Sequence, residues 1–170
     1  MTDSKPIKIG GIMHSDGCSL LRLMSAPPSL DTAGLLLSAL ADSGISLELT
    51  VQTVDHEDGG CFAVVVAHKD LEQTLEVMEK VRRELEAQAL SYLPDVAVVS
   101  VFGPHLREKP RIPGLMFTAI ASAGVPVLAI ANSISSVSCV VEGPYLNAVI
   151  DVLSEVFWVP QGAAPRPKSY

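Results

Sequence analysis

The sequence predicts an α+β fold in which one strand-helix-strand-strand-helix-strand unit is used twice. Three observations carry this. LLLSALADSGISLEL, from Leu35 to Leu49, returns in altered form as LMFTAIASAGVPVLA, from Leu115 to Ala129, with Leu35 and Leu115, Ala39 and Ala119, Ala41 and Ala121, and Gly44 and Gly124 coinciding. Each copy is flanked by apolar runs of strand length. A chain of 170 residues, 48% of them hydrophobic, is long and apolar enough for two small cores.

The elements follow in order. CSLLRLMSA, Cys18 to Ala26, is short, apolar and bounded by Gly17 and Pro27, which predicts a strand. PPSLDTAG makes a turn, and Ser29 or Asp31 caps a helix running to about Ser43, where Gly44 takes the left-handed end position. In Ile45 to Thr53, Leu47, Leu49 and Val51 alternate with Glu48, Thr50 and Gln52, so one strand face is buried. DHEDGG turns this strand into CFAVVVA as an antiparallel hairpin. Asp70 caps a long helix with Gln73 in the capping-box position and Leu71, Leu75, Met78, Val81 or Arg82, and Leu85 inward. A strand from about Gln88 to Tyr92 closes the first unit, residues 14–93.

The second unit repeats the plan. Val96 to Phe102 is a strand, GPHLREKPRIPG the turn, and Leu115 to Ala123 the helix, ended by Gly124; Val127 to Ala131 and Val137 to Val141 pair. Pro144 opens a last helix with Leu146, Ile150, Leu153 and Phe157 inward. Residues 159–170 form a Pro-rich tail, whose WVPQGAAPRPKSY run cannot supply a closing strand. This unit is therefore one strand short, and IKIGGIM, Ile7 to Met13, has no role in the first. The expected second unit is residues 94–158 plus 7–13, with the N-terminal strand completing its sheet. Two ferredoxin-like βαββαβ units in tandem result. Their helices should cover one sheet face and leave the other to a neighbour; with a mean hydropathy of +0.36, this predicts a homodimer.

Composition narrows the function. A net charge of −7 disfavours nucleic acid as a partner, and the Arg82-Arg83 pair lies among Glu79, Glu84 and Glu86 as a solvated helix face. Cys18, Cys61 and Cys139 are far apart, with no metal-closing spacing, and suit small core side chains in a reducing cytoplasm. MTDSKPIKIGGIM lacks a signal-peptide apolar run. Ile112 to Val141 carries no formal charge, yet Gly124, Pro126 and a cluster of serines break it, so no membrane span is expected. No phosphate cradle, metal set or catalytic triad can be assembled, and His14, His56, His68 and His105 are scattered as surface residues. No cofactor and no catalytic residue are expected; a small ferredoxin-like enzyme is the alternative of another class.

The run IGGIMHSDG, then LSALADSGISLELTVQT, a Gly-ended hairpin, VVSVFG-x-x-LRE-x-P and LMFTAIASAGVPVLAIANS resembles the regulatory region of aspartokinases, a pair of ACT domains, over about Ile7 to Phe157. The resemblance implies a non-catalytic regulator of aspartate-family metabolism that binds an amino acid such as lysine or threonine at unit or subunit interfaces. It stands alone or serves as the regulatory subunit of a kinase chain. By the same resemblance the first ligand loop runs from Ala26 to Gly34, so Ala26, Ser29, Leu30, Asp31, Thr32, Ala33 and Gly34 are candidates, joined by Gln52 and Thr53 in the next strand. The equivalent loop of the second unit spans His105 to Ile112, with Arg107 and Ile112 as candidates and Asn132 and Ser133 as the strand contacts. Gly44-Ile45-Ser46 and Gly124-Val125-Pro126 stand where the family has Gly-Ile-Asn.

Physical chemistry supports such loops independently. A loop entering a helix N-terminus presents unpaired N–H groups and the positive dipole end, which suits a carboxylate. Asp31 then holds the ligand ammonium or serves as a helix cap. Gln52 is a ligand contact or the solvent-facing member of its strand, and Arg107, Lys109 and Arg111 line the site or form an exposed turn.

Overall fold

The computed structural model describes residues 6–26, 31–55, 59–104, 106–160 and 166–167. In chain order the elements are β1 (Ile7–Lys8), β2 (Gly11–Ala26), α1 (Thr32–Asp42), β3 (Leu47–Asp55), β4 (Gly59–Ala67), α2 (Leu71–Glu84), β5 (Ala89–Phe102), α3 (Arg111–Ser122), β6 (Ala129–Asn132), β7 (Ser136–Glu142), α4 (Leu146–Val156), β8 (Phe157–Trp158) and β9 (Arg166–Pro167). Single 3-10 turns at His68–Asp70, Leu106–Glu108 and Gly143–Tyr145 lead into helices. The chain forms two compact units, Gly17–Val96 and the described residues of Met1–Asp16 with Ala97–Tyr170.

In Gly17–Val96 the strand order is β3-β4-β2-β5, the pattern of a split βαβ unit. β4 lies antiparallel between β2, with Leu21 opposite Val64, and β3, with Val51 opposite Ala63. The core under α1 and α2 gathers Leu21, Leu23, Leu36, Leu40, Phe62 and Met78. Gly59 must be glycine: its φ is +80°, and a Cβ there would lie 2.7 Å from the Ala26 carbonyl oxygen.

The other unit has the order β2-β5-β7-β6. Here the N-terminal residues supply the strand that its own C-terminal half lacks. The Gly10 N–H donates to the Phe102 carbonyl at 2.8 Å, and Ile9 and Ile12 share a core with Val99, Ile112, Leu153 and Phe157. β1 pairs in parallel with β8, Ile7 opposite Phe157, and the Lys8 ammonium lies 4.9 Å from the centre of the Trp158 ring.

Both first helices of the units end alike. Gly44 (φ 71°) donates to the Ala41 carbonyl and Ile45 to that of Leu40; Gly124 (φ 70°) and Val125 repeat this with Ala121 and Ile120. These are the two bonds of a Schellman end, which explains why the glycine recurs in the repeated segment.

Several expectations are corrected. The strands expected at Gln88–Tyr92 and Val96–Phe102 are one, β5, which continues through Pro94 because Asp95 adopts φ 56°. Likewise Ile7–Met13 and Cys18–Ala26 are largely joined in β2, which passes through Gly17 at φ 59°. The chain beyond α4 does contribute strands: β8, just before the tail, pairs with β1, and β9 within the tail lies parallel to β2 with Arg166 opposite Met13. No side-chain cap hydrogen bond forms at Asp31 or Asp70; the Asp31 carbonyl accepts from the Leu35 N–H, and Gln73 Nε2 donates instead to the Ser43 carbonyl at 3.0 Å. Ser29 lies outside the described residues.

The sheet face expected to await a neighbour is covered too. Cys18 to Leu21, Val64 to Val66, Val96 to Val101 and Cys139 to Val141 are buried without alternation, where burial of one face alone was expected. Among the described residues, no helix is long and apolar enough to cross a membrane.

Candidate functional site

In the unit containing Ala97–Tyr170, the 3-10 turn Leu106–Glu108 and the start of α3 face the end of β6 and the β6–β7 turn. Between them lies a cavity of about 480 Å³, lined by Leu106, Arg107, Lys109, Pro110, Ile112, Pro113, Asn132, Ser133, Ile134 and Val137. All four candidates of the second loop, Arg107, Ile112, Asn132 and Ser133, are brought together here. His105 lies outside the described residues.

Each wall has a local cause. Buried Leu106 and Ile112, and Val137 at 1% exposure, form an apolar floor continuous with the core. Arg107 is exposed. Lys109 reaches back to the N-terminal strand, its ammonium donating to the Lys8 carbonyl at 2.8 Å. Ser133 shapes the hairpin: its hydroxyl oxygen accepts from the Ser136 N–H at 3.0 Å and lies 2.9 Å from the Ser136 hydroxyl. Ile134 was not a candidate from the sequence, and the choice left open for Lys109, lining the site or standing in an exposed turn, falls to the lining. The Lys109 bond joins residues 101 apart in sequence, whereas Ile134, directly after Asn132-Ser133, was within reach of the hairpin reading.

The helix mouth offers fewer donors than its position suggests. The Ile112 N–H is used by the Lys109 carbonyl, and Pro113 has none. The cationic side chains are therefore the principal anion-attracting groups. Among the described residues, two cations and no carboxylate line the cavity.

The first-loop candidates fare differently. Ala26 and Thr32 are buried, at 0% and 3% exposure. Ala33 packs against the core, and Leu30, like Ser29, lies outside the described residues. Asp31 and Gly34 border an open groove along α1 with Leu35, Ser38, Ala39 and Asp42, whose two carboxylates oppose an anionic ligand. Gln52 and Thr53 are exposed on the edge strand β3 and do not line that groove.

Folding also makes one pairing that spacing did not suggest: Ser19 Oγ lies 2.9 Å from His68 Nδ1. Ser19 is fully buried, so a substrate has no access to its hydroxyl. Among the described residues, no cluster of His, Cys, Asp or Glu is arranged to hold a metal.

Residues 99–157, which include the whole cavity, match the ACT domain family. An aspartokinase of Thermus thermophilus is 30% identical over 137 residues, 79% of this chain and 34% of that protein. An aspartate kinase of Pseudomonas putida is 27% identical over 88% of this chain and 36% of its own length. The chain thus spans about a third of these relatives. Among solved structures, the ligand-free regulatory subunit of aspartate kinase from Thermus thermophilus superposes with a TM-score of 0.80 at 27% identity, covering 88% of this chain and 99% of that one. The chain is accordingly an ACT-domain protein, homologous over most of its length to the regulatory region of aspartokinases.

Proposed function

We propose that this protein is a non-catalytic regulatory module that binds a free amino acid in the cavity between α3 and the β6–β7 turn. Its occupancy controls a kinase of aspartate-family metabolism in the cytoplasm. One observation supports this above the rest: a cavity of about 480 Å³ at a helix N-terminus, with Arg107 and Lys109 on its wall and, among the described residues, no carboxylate. Arg107 holds the ligand carboxylate, the carboxamide of Asn132 accepts from its ammonium, and Leu106, Ile112 and Val137 receive its side chain. The α1 groove, with Asp31 and Asp42, is the weaker second position. The kinase partner follows from likeness to a regulatory subunit, and the homodimer from the mean hydropathy.

Thermal unfolding in the presence of each of the twenty amino acids tests the reading. An amino acid that binds the folded state raises the melting temperature in proportion to ln(1 + [L]/Kd), and Arg107→Ala removes that rise. A flat response to all of them overturns it. Sedimentation of the purified chain, alone and with a kinase chain, checks the assemblies.

A further inference from the structure

The lining of the cavity specifies more than a carboxylate. We infer that it takes a neutral amino acid with an apolar side chain and rejects a cationic one such as lysine, with Ile134 as the residue that sets this choice. The inference rests on the cavity being the effector site.

The charge inventory points this way. Among the described residues, Arg107 and Lys109 are the only charged ones on the wall; Glu108, between them in sequence, does not line it. A carboxylate suits two cations, but a second ammonium at the end of a side chain finds no anion there and meets two like charges in a partly enclosed space. The polar groups are few. Asn132 offers a carboxamide, while the Ser133 hydroxyl is already engaged in its own turn. Every other lining residue, Leu106, Pro110, Ile112, Pro113, Ile134 and Val137, is apolar.

Ile134 stands apart among these. It is 69% exposed, the largest exposure among the exposed large hydrophobic residues, and it belongs to the turn between β6 and β7. The bonds to the Ser133 hydroxyl fix that turn, so the side chain is carried at the cavity wall. An apolar ligand side chain removes surface from water on both itself and Ile134, whereas an ammonium brought against Ile134 loses hydration with no compensation.

Norleucine and lysine share a four-carbon side chain and differ by the terminal ammonium, so titration calorimetry with both isolates the effect. Norleucine should bind at least about tenfold more tightly than lysine, with the difference shrinking in high salt. Ile134→Ala should weaken norleucine several-fold and leave lysine unchanged. Ile134→Glu should supply the missing anion and narrow or invert the ratio. The site is exposed enough for both variants to fold, which their circular dichroism and melting verify. Equal affinities in the wild type, or an unchanged ratio in Ile134→Glu, overturns the inference while leaving amino-acid sensing intact; binding insensitive to Arg107→Ala moves the ligand out of this cavity and overturns both the inference and the cavity as effector site. If no amino acid binds at all, the effector reading itself falls, and this inference with it.

Discussion

Gly10 and Gly103 approach so closely that neither has room for a side chain: a Cβ on Gly103 would lie 2.7 Å from the Gly10 nitrogen and 2.9 Å from Leu106 Cδ1. Gly103→Ala should cost about 2 kcal/mol, read as a lower urea midpoint, because the obstacle on one side is backbone. Gly34→Ala should do the opposite and add roughly 0.5–1 kcal/mol, since its position on α1 is exposed with nothing within 4 Å. The thiols differ as sharply. Burial pushes Cys139 up to about 12, against a lowering hydrogen bond from the Val99 backbone, and Cys18 is 2% exposed, whereas Cys61 is half-buried. A thiol reagent at pH 8 should therefore modify Cys61 alone in the native protein and all three cysteines after unfolding. That Arg107, Ile112, Asn132 and Ser133 would line one cavity was legible because a loop before a helix and the end of the next strand are fixed by local order. Lys109 was legible only as a lining residue or an exposed turn; its bond to Lys8 was not, because that contact depends on the closed fold.

At the scale of elements, local chemistry was readable and long-range pairing was not. Gly44 and Gly124 announced their helix ends because a left-handed terminal residue is a requirement of the turn itself. Gly17 and the Pro94-Asp95 step looked like breaks, yet β2 and β5 each continue through a residue of positive φ. Gly17→Val should then cost roughly 1–2 kcal/mol through backbone strain alone, since a Cβ there meets nothing within 4 Å. On α2, hydrogen bonds from Arg82 and then Arg83 hold the Glu79 carboxyl at about 2, well below its ordinary 4.5. A depressed carboxylate contributes stability that is fully present above pH 4.5 and is lost as pH falls towards 2. Carbon-detected titration should find Glu79 far below the other glutamates, and Arg82→Gln should raise it. The expected caps failed for a plain reason: with Asp31 and Asp70 in near-helical conformations, their side chains do not turn back onto the first N–H groups.

For the whole molecule, the duplicated plan and the strand contributed by the N-terminus were both visible from counting strands. Burial on both faces of the central strands was not, and only the uninterrupted apolar runs hint at it. Removing residues through Asp16 should open the unit of residues 97–160 preferentially. Hydrogen exchange should quicken in β5, β7 and α4 more than in α1, β3 and β4, and uniform quickening would contradict the shared-strand arrangement. That arrangement also sets an order of assembly. Ile9 and Ile12 leave the ribosome long before Leu153 and Phe157, their partners in the core. Residues 17–96 can close while the earlier segment still waits, an apolar ribbon without a home. Docking of Ile9 and Ile12 must therefore wait until α4 has been made, and chaperone dependence should concentrate in that interval.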